Sequence, residues 1–395
     1  MRRDWLIWAA TRAFVLGIIA GIIPWPAQVN DLTIYGDWAA ADLSAGRFPE
    51  DPMWQYPPLA GPLLLLGWQL PGVHLGYALL FLAFDAVTMA LVSARARVTG
   101  MTEGRLLWAA VPVVTGPLLL ARFDVVPTAL AVAACLAAAT RPALSGGVAA
   151  VGAWLKVWPA LAILGLRRRQ LPVGILAAGA VSLVIVLVLL VTWTDTFSFL
   201  GQQRDRGLQI ESVAAWPFLI SRAVGGDISV VYQYGAHEVV GPGVTSVASL
   251  CVVLSLLLLA VVALQRLRGA LDDLTAADVV LAATLFTVVT SRVFSGQYFI
   301  WLLGLAAVSL SEPTTRMRRV TALLIVAGLA THLVYPWLYS ALLAGSWWAV
   351  AVQTVRIACT VAATALALMV LLRAGTPAAA GASKAPTSSV GDTGG

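Results

Sequence analysis

The chain has 395 residues, of which 60% are hydrophobic and 11% are charged, and its mean hydropathy is +0.88. A soluble domain carries about a quarter charged residues, so this composition excludes a soluble enzyme and indicates an integral membrane protein. Apolar runs of about 17 to 25 residues recur along the chain, each long enough to cross a hydrocarbon layer of about 30 Å as a helix. The alternation typical of a membrane β-barrel is absent, so the spans are predicted to be helical.

The net charge of +6 does not indicate nucleic-acid binding, because the basic residues form short clusters between apolar runs. Such clusters are typical of cytoplasmic loops under the positive-inside rule. They comprise Arg95 and Arg97, residues 167–169, Arg266 and Arg268, and Arg316, Arg318 and Arg319. Their positions set the predicted topology, with a cytoplasmic N-terminus and cytoplasmic basic loops.

In chain order, this topology predicts an all-α polytopic protein with about 12 membrane helices and two large extracytoplasmic loops, at about 25–57 and 194–243. Two segments are interrupted. The short apolar run at 59–71 is either re-entrant or part of one broken span. The run at 143–169 is broken near Lys156 and Pro159, because a proline disfavours helical geometry in the preceding residue. The other spans are predicted at 5–24, 74–94, 105–121, 124–140, 171–193, 244–265, 276–291, 295–310, 319–338 and 346–372. Residues 1–373 thus form one membrane domain, and 374–395, rich in Ala, Gly, Ser and Pro, a disordered cytoplasmic tail.

The first outer loop places five carboxylates against one arginine. For Asp42, Glu50 and Asp51 the simplest interpretation is a solvated acidic loop. Asp31 and Asp37 flank the segment LTIYG, which includes Tyr35, directly after the membrane exit. Asp31 is either the cap of a helix beginning at Leu32 or a general base, and both alternatives stay open from the residues alone.

The same loop ends at a Tyr-Pro-Pro element. Proline is preorganised for the first turn of a helix, so Pro57 and Pro58 are predicted to begin the re-entrant helix and anchor the end of the loop. Tyr56 then lies at a pocket rim or in an interfacial aromatic belt.

The second outer loop contains Arg204, Arg206 and Glu211. Arginines on the outer side run against the positive-inside bias, and guanidinium groups pair bidentately with phosphate. These residues are predicted to bind an anionic lipid head group, with a local salt-bridge cluster as the alternative.

Two further outer positions carry unexpected cations. Arg292 lies with Gln297 and Tyr298 in the segment SRVFSGQYFIW, between two spans, and Lys156 lies at the predicted helix break. Both cations are candidates for phosphate binding. The alternatives are loop hydrogen bonding for Arg292 and snorkelling to the interface for Lys156.

The remaining polar residues give weaker signals. His332 is predicted near the outer end of its span and close to the same cavity, or else as a structural histidine. Asp85, in the middle of a span, is expected to face a hydrogen-bonding partner within the protein. The three histidines are scattered and the three cysteines lie in apolar runs, so neither a metal site nor a disulfide is predicted, and no nucleotide-binding motif is present.

Taken in order, the segments NDLTIYGDWAAADLSAGRFP, YPPL, ALSGGVAAVGAWLKVWPAL, RDRGLQIES and RVFSGQYFIWLLGL resemble the GT-C polyprenyl-phosphate-sugar-dependent glycosyltransferases of actinobacteria, a DUF2029-type family. Within that group, the pattern is similar to that of the mannosyltransferases of phosphatidylinositol mannoside synthesis. The chain departs from that pattern at RFDVVPT, where many relatives have Gly-Gln or Gly-Asp, and at SGQY, where Ser-Pro-Gln-Tyr is frequent.

This resemblance implies inverting transfer of mannose from a polyprenyl-phosphate donor to a lipid-linked or glycan acceptor, at the extracytoplasmic face of the plasma membrane. It implies catalytic roles for Asp31, as general base, and for His332. The expected substrate-binding residues are Tyr35, Asp37, Tyr56, Lys156, Arg204, Arg206, Glu211, Arg292, Gln297 and Tyr298. No cofactor or metal is expected. Arabinofuranosyl transfer from the corresponding donor and, in a different class, lipid or solute transport are the alternatives.

Overall fold

The structure is a computed structural model, and it describes residues 2–26, 30–200 and 207–374. Within these residues the chain is mostly helical, with a small antiparallel sheet of order β1-β3-β2. The elements are α1 (Arg2–Ile19), α2 (Asn30–Ala41), α3 (Ala60–Trp68), α4 (Val73–Thr99), α5 (Glu103–Thr115), α6 (Leu118–Ala121), α7 (Val125–Ala137), α8 (Pro142–Leu155), α9 (Leu171–Thr192), β1 (Leu208–Gln209), α10 (Trp216–Ala223), β2 (Ser229–Gln233), β3 (Ala236–Val240), α11 (Val244–Leu267), α12 (Ala276–Val289), α13 (Tyr298–Leu310), α14 (Arg318–His332), α15 (Tyr339–Leu343) and α16 (Trp347–Ala374).

Five helical stretches of the described chain are long and apolar enough to cross a membrane, and shorter apolar helices accompany them. The long stretches are Val73–Thr99, Arg168–Thr192, Val244–Leu267, Arg318–Leu343 and Trp347–Ala374. These helices suggest an integral membrane protein. The count of about 12 membrane helices stays a prediction.

Central and peripheral helices differ in what surrounds their apolar side chains. Helices α12 and α13 are mostly apolar and are buried by the rest of the protein. Helices α9 and α11 are equally apolar but leave most of their side chains exposed, including Val191 at 86% and Leu256 at 64%. An all-apolar helix with an exposed surface fits contact with lipid, so α9 and α11 lie at the periphery of the membrane domain.

The basic segments gather on one face. The Arg95 guanidinium donates two hydrogen bonds, of 2.7 and 2.6 Å, to the Glu312 carboxylate. Asp272 accepts from the Arg168 backbone N–H at 3.0 Å and from the Arg266 side chain at 2.7 Å. Helices α11, α12 and α13 each have one end at this face, so their opposite ends define a second face.

The predicted interruptions of the spans are confirmed. Lys156 follows α8 in extended backbone geometry, and a 3-10 segment covers Trp158–Gly165. The short helix α3 ends before Gly72, whose positive φ of 73° allows the turn into α4. Pro57 and Pro58 lie in the turn just before α3, where their carbonyls accept from the N–H groups of residues 60 and 61.

Three expectations differ from the structure. The segment 105–121 is two helices, because Gly116 has a φ of +56° and Pro117 follows it. The fold is not entirely α, since the second outer loop contains α10 and the three-stranded sheet. The first helix covers Arg2–Ile19 rather than 5–24. The predicted tail from 375 onward lies outside the described residues.

A buried ion pair ties the first helices together, as expected for Asp85. Arg12 and Asp85 are 2% and 0% exposed and share two hydrogen bonds of 2.9 Å. Asp85 also accepts from the Trp8 indole at 2.7 Å, and Arg12 donates to the carbonyls of residues 108 and 109. The prediction of a structural hydrogen-bonding role for Asp85 is confirmed.

Candidate active site

A cavity of about 1250 Å³ lies at the face opposite the basic clusters. Its walls come from α2, the turn before α3, the α6–α7 turn, the α8 break, the second outer loop, α11 and the α12–α13 turn. Eight of the predicted site residues line it: Asp31, Tyr35, Tyr56, Lys156, Glu211, Arg292, Gln297 and Tyr298. The fold therefore brings together residues that are up to 267 positions apart in the sequence.

Asp31 lies in the first turn of α2 and forms a salt bridge with Arg122. Arg122 follows α6 in extended geometry, which turns its side chain into the cavity wall. Burial raises the pKa of the Asp31 carboxyl above its usual value, although the positive charge of Arg122 opposes this shift. A partly buried carboxylate with a raised pKa is a stronger base than one in water, which suits proton abstraction.

A second ion pair lies beside the first. The Lys156 ammonium donates to Asp124 Oδ1 at 2.6 Å, and the Trp301 indole N–H donates to the same oxygen at 2.6 Å. The ammonium also lies 5.0 Å from the ring centre of Phe123 and 5.7 Å from that of Tyr56. Burial lowers the pKa of Lys156, and the charge of Asp124 opposes that change. These contacts fix the ammonium at the cavity wall.

Glu211 and Gln209 form a third polar group in the cavity wall. Glu211 is 4% exposed, its Oε2 accepts from Gln209 at 3.0 Å, and its Oε1 has no hydrogen-bond partner among the described residues. Burial raises the pKa of Glu211, while Arg356 and Arg122 act in the opposite direction. A buried oxygen without a partner is rare in native proteins and is readily satisfied by a hydroxyl of a bound ligand.

The turn between α12 and α13 is held in place from behind. Arg356, fully buried in α16, donates to the Phe294 carbonyl at 2.6 Å and to the Glu211 carbonyl at 2.5 Å. Gln209 joins the same two segments, because its side chain accepts from the Phe294 N–H at 2.9 Å and donates to Ser295 at 2.9 Å. These hydrogen bonds join the segment of Glu211 to the turn that carries Arg292 and Gln297. The three side chains are therefore held in fixed positions relative to one another.

Four predicted site residues are not placed in this cavity. Asp37 is exposed and does not line it. His332 lines a separate cavity of about 350 Å³, where its ring packs edge-on to Trp25 and against Gly116. Arg204 and Arg206 lie outside the described residues. The catalytic role of His332 and the binding roles of Asp37, Arg204 and Arg206 stay predictions.

Sequence reasoning missed Arg122, Asp124, Gln209 and Arg356. Arg122 carried a usable signal, because it is an arginine in a predicted outer turn, as Arg292 is. Arg356 carried another, because a lone charge inside an apolar span indicates a buried partner. Asp124 could be identified only from its contact with Lys156, and Gln209 only from its contacts with the α12–α13 turn.

The described fold and cavity define a class: a polytopic membrane protein with a carboxylate and several cations in one large polar cavity at one face. The family model of glycosyltransferase family 87 matches residues 54–291, more than half of the chain. The chain therefore belongs to this family of GT-C type, polyprenyl-phosphate-sugar-dependent glycosyltransferases, and it is a glycosyltransferase with sugar donor and acceptor substrates. Comparison with curated proteins and with solved structures finds no match. The matched range includes Lys156 and Glu211, whereas Asp31 lies before its first residue.

Proposed function

We propose that the protein transfers a mannosyl residue from polyprenyl-phosphate-mannose to a lipid-linked or glycan acceptor at the extracytoplasmic face of the plasma membrane. One observation carries the proposal: the same cavity holds a carboxylate, Asp31, and the cationic side chains of Arg122, Lys156 and Arg292. Sugar transfer from a lipid phosphate needs a base for the acceptor hydroxyl and positive charge for the leaving phosphate.

The positions of the two faces support the proposed orientation in the membrane. Basic clusters mark the cytoplasmic side in membrane proteins, and here they meet at the face opposite the cavity. The cavity then opens to the extracytoplasmic side. A polyprenyl-linked sugar donor suits that side, because it needs no soluble nucleotide sugar there.

In the proposed reaction, Asp31 accepts the proton of the acceptor hydroxyl while the acceptor oxygen forms a bond to the anomeric carbon. The bond between that carbon and the phosphate oxygen breaks on the opposite side of the ring, and the configuration inverts. The salt bridge to Arg122 orients the Asp31 carboxylate, and Lys156 and Arg292 stabilise the charge on the departing polyprenyl phosphate. Tyr298 completes this wall, where its ring stacks on Trp301 at 3.9 Å.

The cavity also offers room for both ends of the donor. Glu211, Gln297 and the tyrosines Tyr35 and Tyr56 bind sugar hydroxyls. An apolar wall receives the prenyl chain beside the lipid-facing helices, and it consists of Leu161, Val252, Leu256 and Leu259. This division into a polar and an apolar part fits a substrate with a sugar head and a long hydrocarbon tail.

The two alternative functions, arabinofuranosyl transfer and transport, are not equally supported. Arabinofuranosyl transfer uses the same polar groups, so the choice between the two sugars is made by experiment. Mannose is favoured by the resemblance to the phosphatidylinositol mannoside mannosyltransferases. A lipid or solute transporter is disfavoured, because the chain belongs to a glycosyltransferase family.

The test measures sugar transfer by membranes containing the protein, supplied with labelled polyprenyl-phosphate-mannose or the arabinofuranosyl donor and a lipid extract of the source organism. Wild-type protein is expected to transfer mannose. Asp31→Asn should lose about 10²- to 10⁴-fold in rate, which is the usual contribution of a positioned base. Glu50→Gln, at an exposed carboxylate of the same loop that does not line the cavity, is the matched control and should retain transfer.

Transfer of arabinofuranose alone would change the donor and keep the mechanism. Full activity of Asp31→Asn would remove the proposed base. Transfer of neither sugar by the wild type, at normal expression, would refute the proposed function.

A further inference from the structure

Four aromatic rings form a continuous strip along one wall of the cavity. The ring centres of Tyr232 and His237 are 5.0 Å apart, those of His237 and Tyr339 are 5.7 Å apart, and those of Tyr339 and Tyr335 are 5.4 Å apart. All four side chains line the cavity. Tyr232 is 66% exposed at the outer end, and Tyr335 lies close to the charges of Arg122 and Asp31 at the inner end. The strip therefore leads from the mouth of the cavity to the proposed base.

The outer end of the strip is carried by the hairpin of β2 and β3. Its two-residue turn, Tyr234 and Gly235, has positive φ values of 51° and 73°, the geometry of a type I′ turn. The tip rests on the first outer loop, since a Cβ added to Gly235 would lie 3.3 Å from the Met53 sulfur. Glu238, 0% exposed, accepts from the Gln233 side chain at 2.5 Å and braces the two strands. The hairpin is thus a fixed part of the cavity wall.

We propose that this strip, Tyr232, His237, Tyr339 and Tyr335, binds the glycan of the acceptor; the inference rests on the proposed function. Aromatic rings offer flat apolar faces to the C–H groups of a sugar, and tyrosine adds a hydroxyl at the ring edge. The other walls already suit the donor: cations at Lys156 and Arg292 face the phosphate, and the apolar wall faces the prenyl chain. An acceptor hydroxyl that approaches along the strip arrives at Asp31.

An interfacial aromatic belt is the competing explanation for exposed tyrosines in a membrane protein. A belt side chain faces the lipid head groups, whereas His237, Tyr339 and Tyr335 are only partly exposed and line the cavity. The strip also includes a histidine and follows a path inward. These features favour a ligand track over a belt.

The kinetic test compares Tyr232→Ala with wild type, using whichever of the two donors turns over. Loss of one stacking surface is expected to raise the acceptor KM about threefold to tenfold. The donor KM should not change. Tyr232→Phe keeps the ring and should stay near wild type. Trp347→Ala, at a 75% exposed tryptophan that does not line the cavity, is the matched belt control.

A binding test separates this inference from the proposed function. The full-length Asp31→Asn protein is purified in detergent without donor, and its binding of α-linked mannobiose and arabinofuranobiose is measured by saturation-transfer NMR. Binding of either disaccharide that weakens in the Asp31→Asn, Tyr232→Ala double variant supports the strip, even if wild-type protein transfers neither sugar. Equal binding by the two proteins, no binding by either, or equal kinetic effects of Tyr232→Ala and Trp347→Ala would overturn it.

Discussion

Two of the arginine–aspartate pairs in the described chain, Arg12–Asp85 and Arg122–Asp31, differ in what surrounds them. Every side-chain nitrogen of Arg12 donates a hydrogen bond within the protein, and both oxygens of Asp85 accept. Arg122 and Asp31 instead lie on the wall of a large cavity, with side chains 24% and 18% exposed. A saturated pair joins helices, whereas a pair that faces a cavity keeps bonding capacity for a ligand. The same two residue types thus serve structure in one place and chemistry in the other.

The largest effect is expected where the saturated pair is broken. Asp85→Ala leaves the Arg12 charge buried without its carboxylate, which costs about 3–5 kcal/mol of stability in comparable cases. Thermal unfolding of the detergent-purified protein should therefore begin at a clearly lower temperature than in the wild type. The double variant Arg12→Met, Asp85→Leu removes both charges and should recover much of the loss. Unchanged stability of Asp85→Ala would show that this pair is not structural.

The next effect concerns charge stabilisation in the cavity. Lys156→Met removes an ammonium aimed at the proposed phosphate position and should lower kcat/KM for the donor about a hundredfold, as the loss of one preorganised donor does elsewhere. Lys156→Arg keeps the charge and should lose less. Steady-state kinetics over donor concentration, with thermal unfolding as a check on folding, distinguishes this from damage to the fold. Wild-type kcat/KM in Lys156→Met would place the phosphate elsewhere.

The pH dependence of kcat/KM tests the roles proposed for the cavity residues Asp31 and Lys156. Burial raises the pKa of Asp31 above 3.8, and the proposed base acts when deprotonated, so kcat/KM should rise with pH through that raised pKa. Burial lowers the pKa of Lys156 below 10.5, so activity should fall in the alkaline range before a normal lysine titrates. The pH profile of wild type is compared with that of Lys156→Arg, which should move its alkaline limb upward. Glu211→Gln is the control for the acid limb of the profile, because the pKa of Glu211 is also raised. If the acid limb belongs to Asp31, it should remain in this variant.

The smallest effect is expected at His332. Its ring lies in the smaller cavity, and Tyr335, on the following turn, lines the larger one. His332→Ala should therefore lower kcat by about tenfold or less, below the contribution of a positioned acid or base. The measurement is kcat at saturating donor and acceptor, with His74→Ala as a control histidine. A loss as large as that of Asp31→Asn would put the imidazole in direct contact with substrate.

Several parts of the site were predictable because local sequence forms them. A proline three residues after Lys156 predicts the helix break, and that break turns the ammonium into the cavity. Arg292 was identified because an arginine in an outer turn runs against the topology bias. The hairpin was not predicted, because its strands are only five residues long and lie in a loop assigned by polarity alone.

The sequence by itself indicated a helical membrane protein with unusual polar residues between its apolar runs, because the hydrocarbon layer selects apolar helices. The tertiary structure decided which charges meet. Asp31 pairs with Arg122, 91 positions away, and Asp124 accepts from Trp301, 177 positions away. Such partners depend on how the helices pack, and no spacing along the chain encodes that packing.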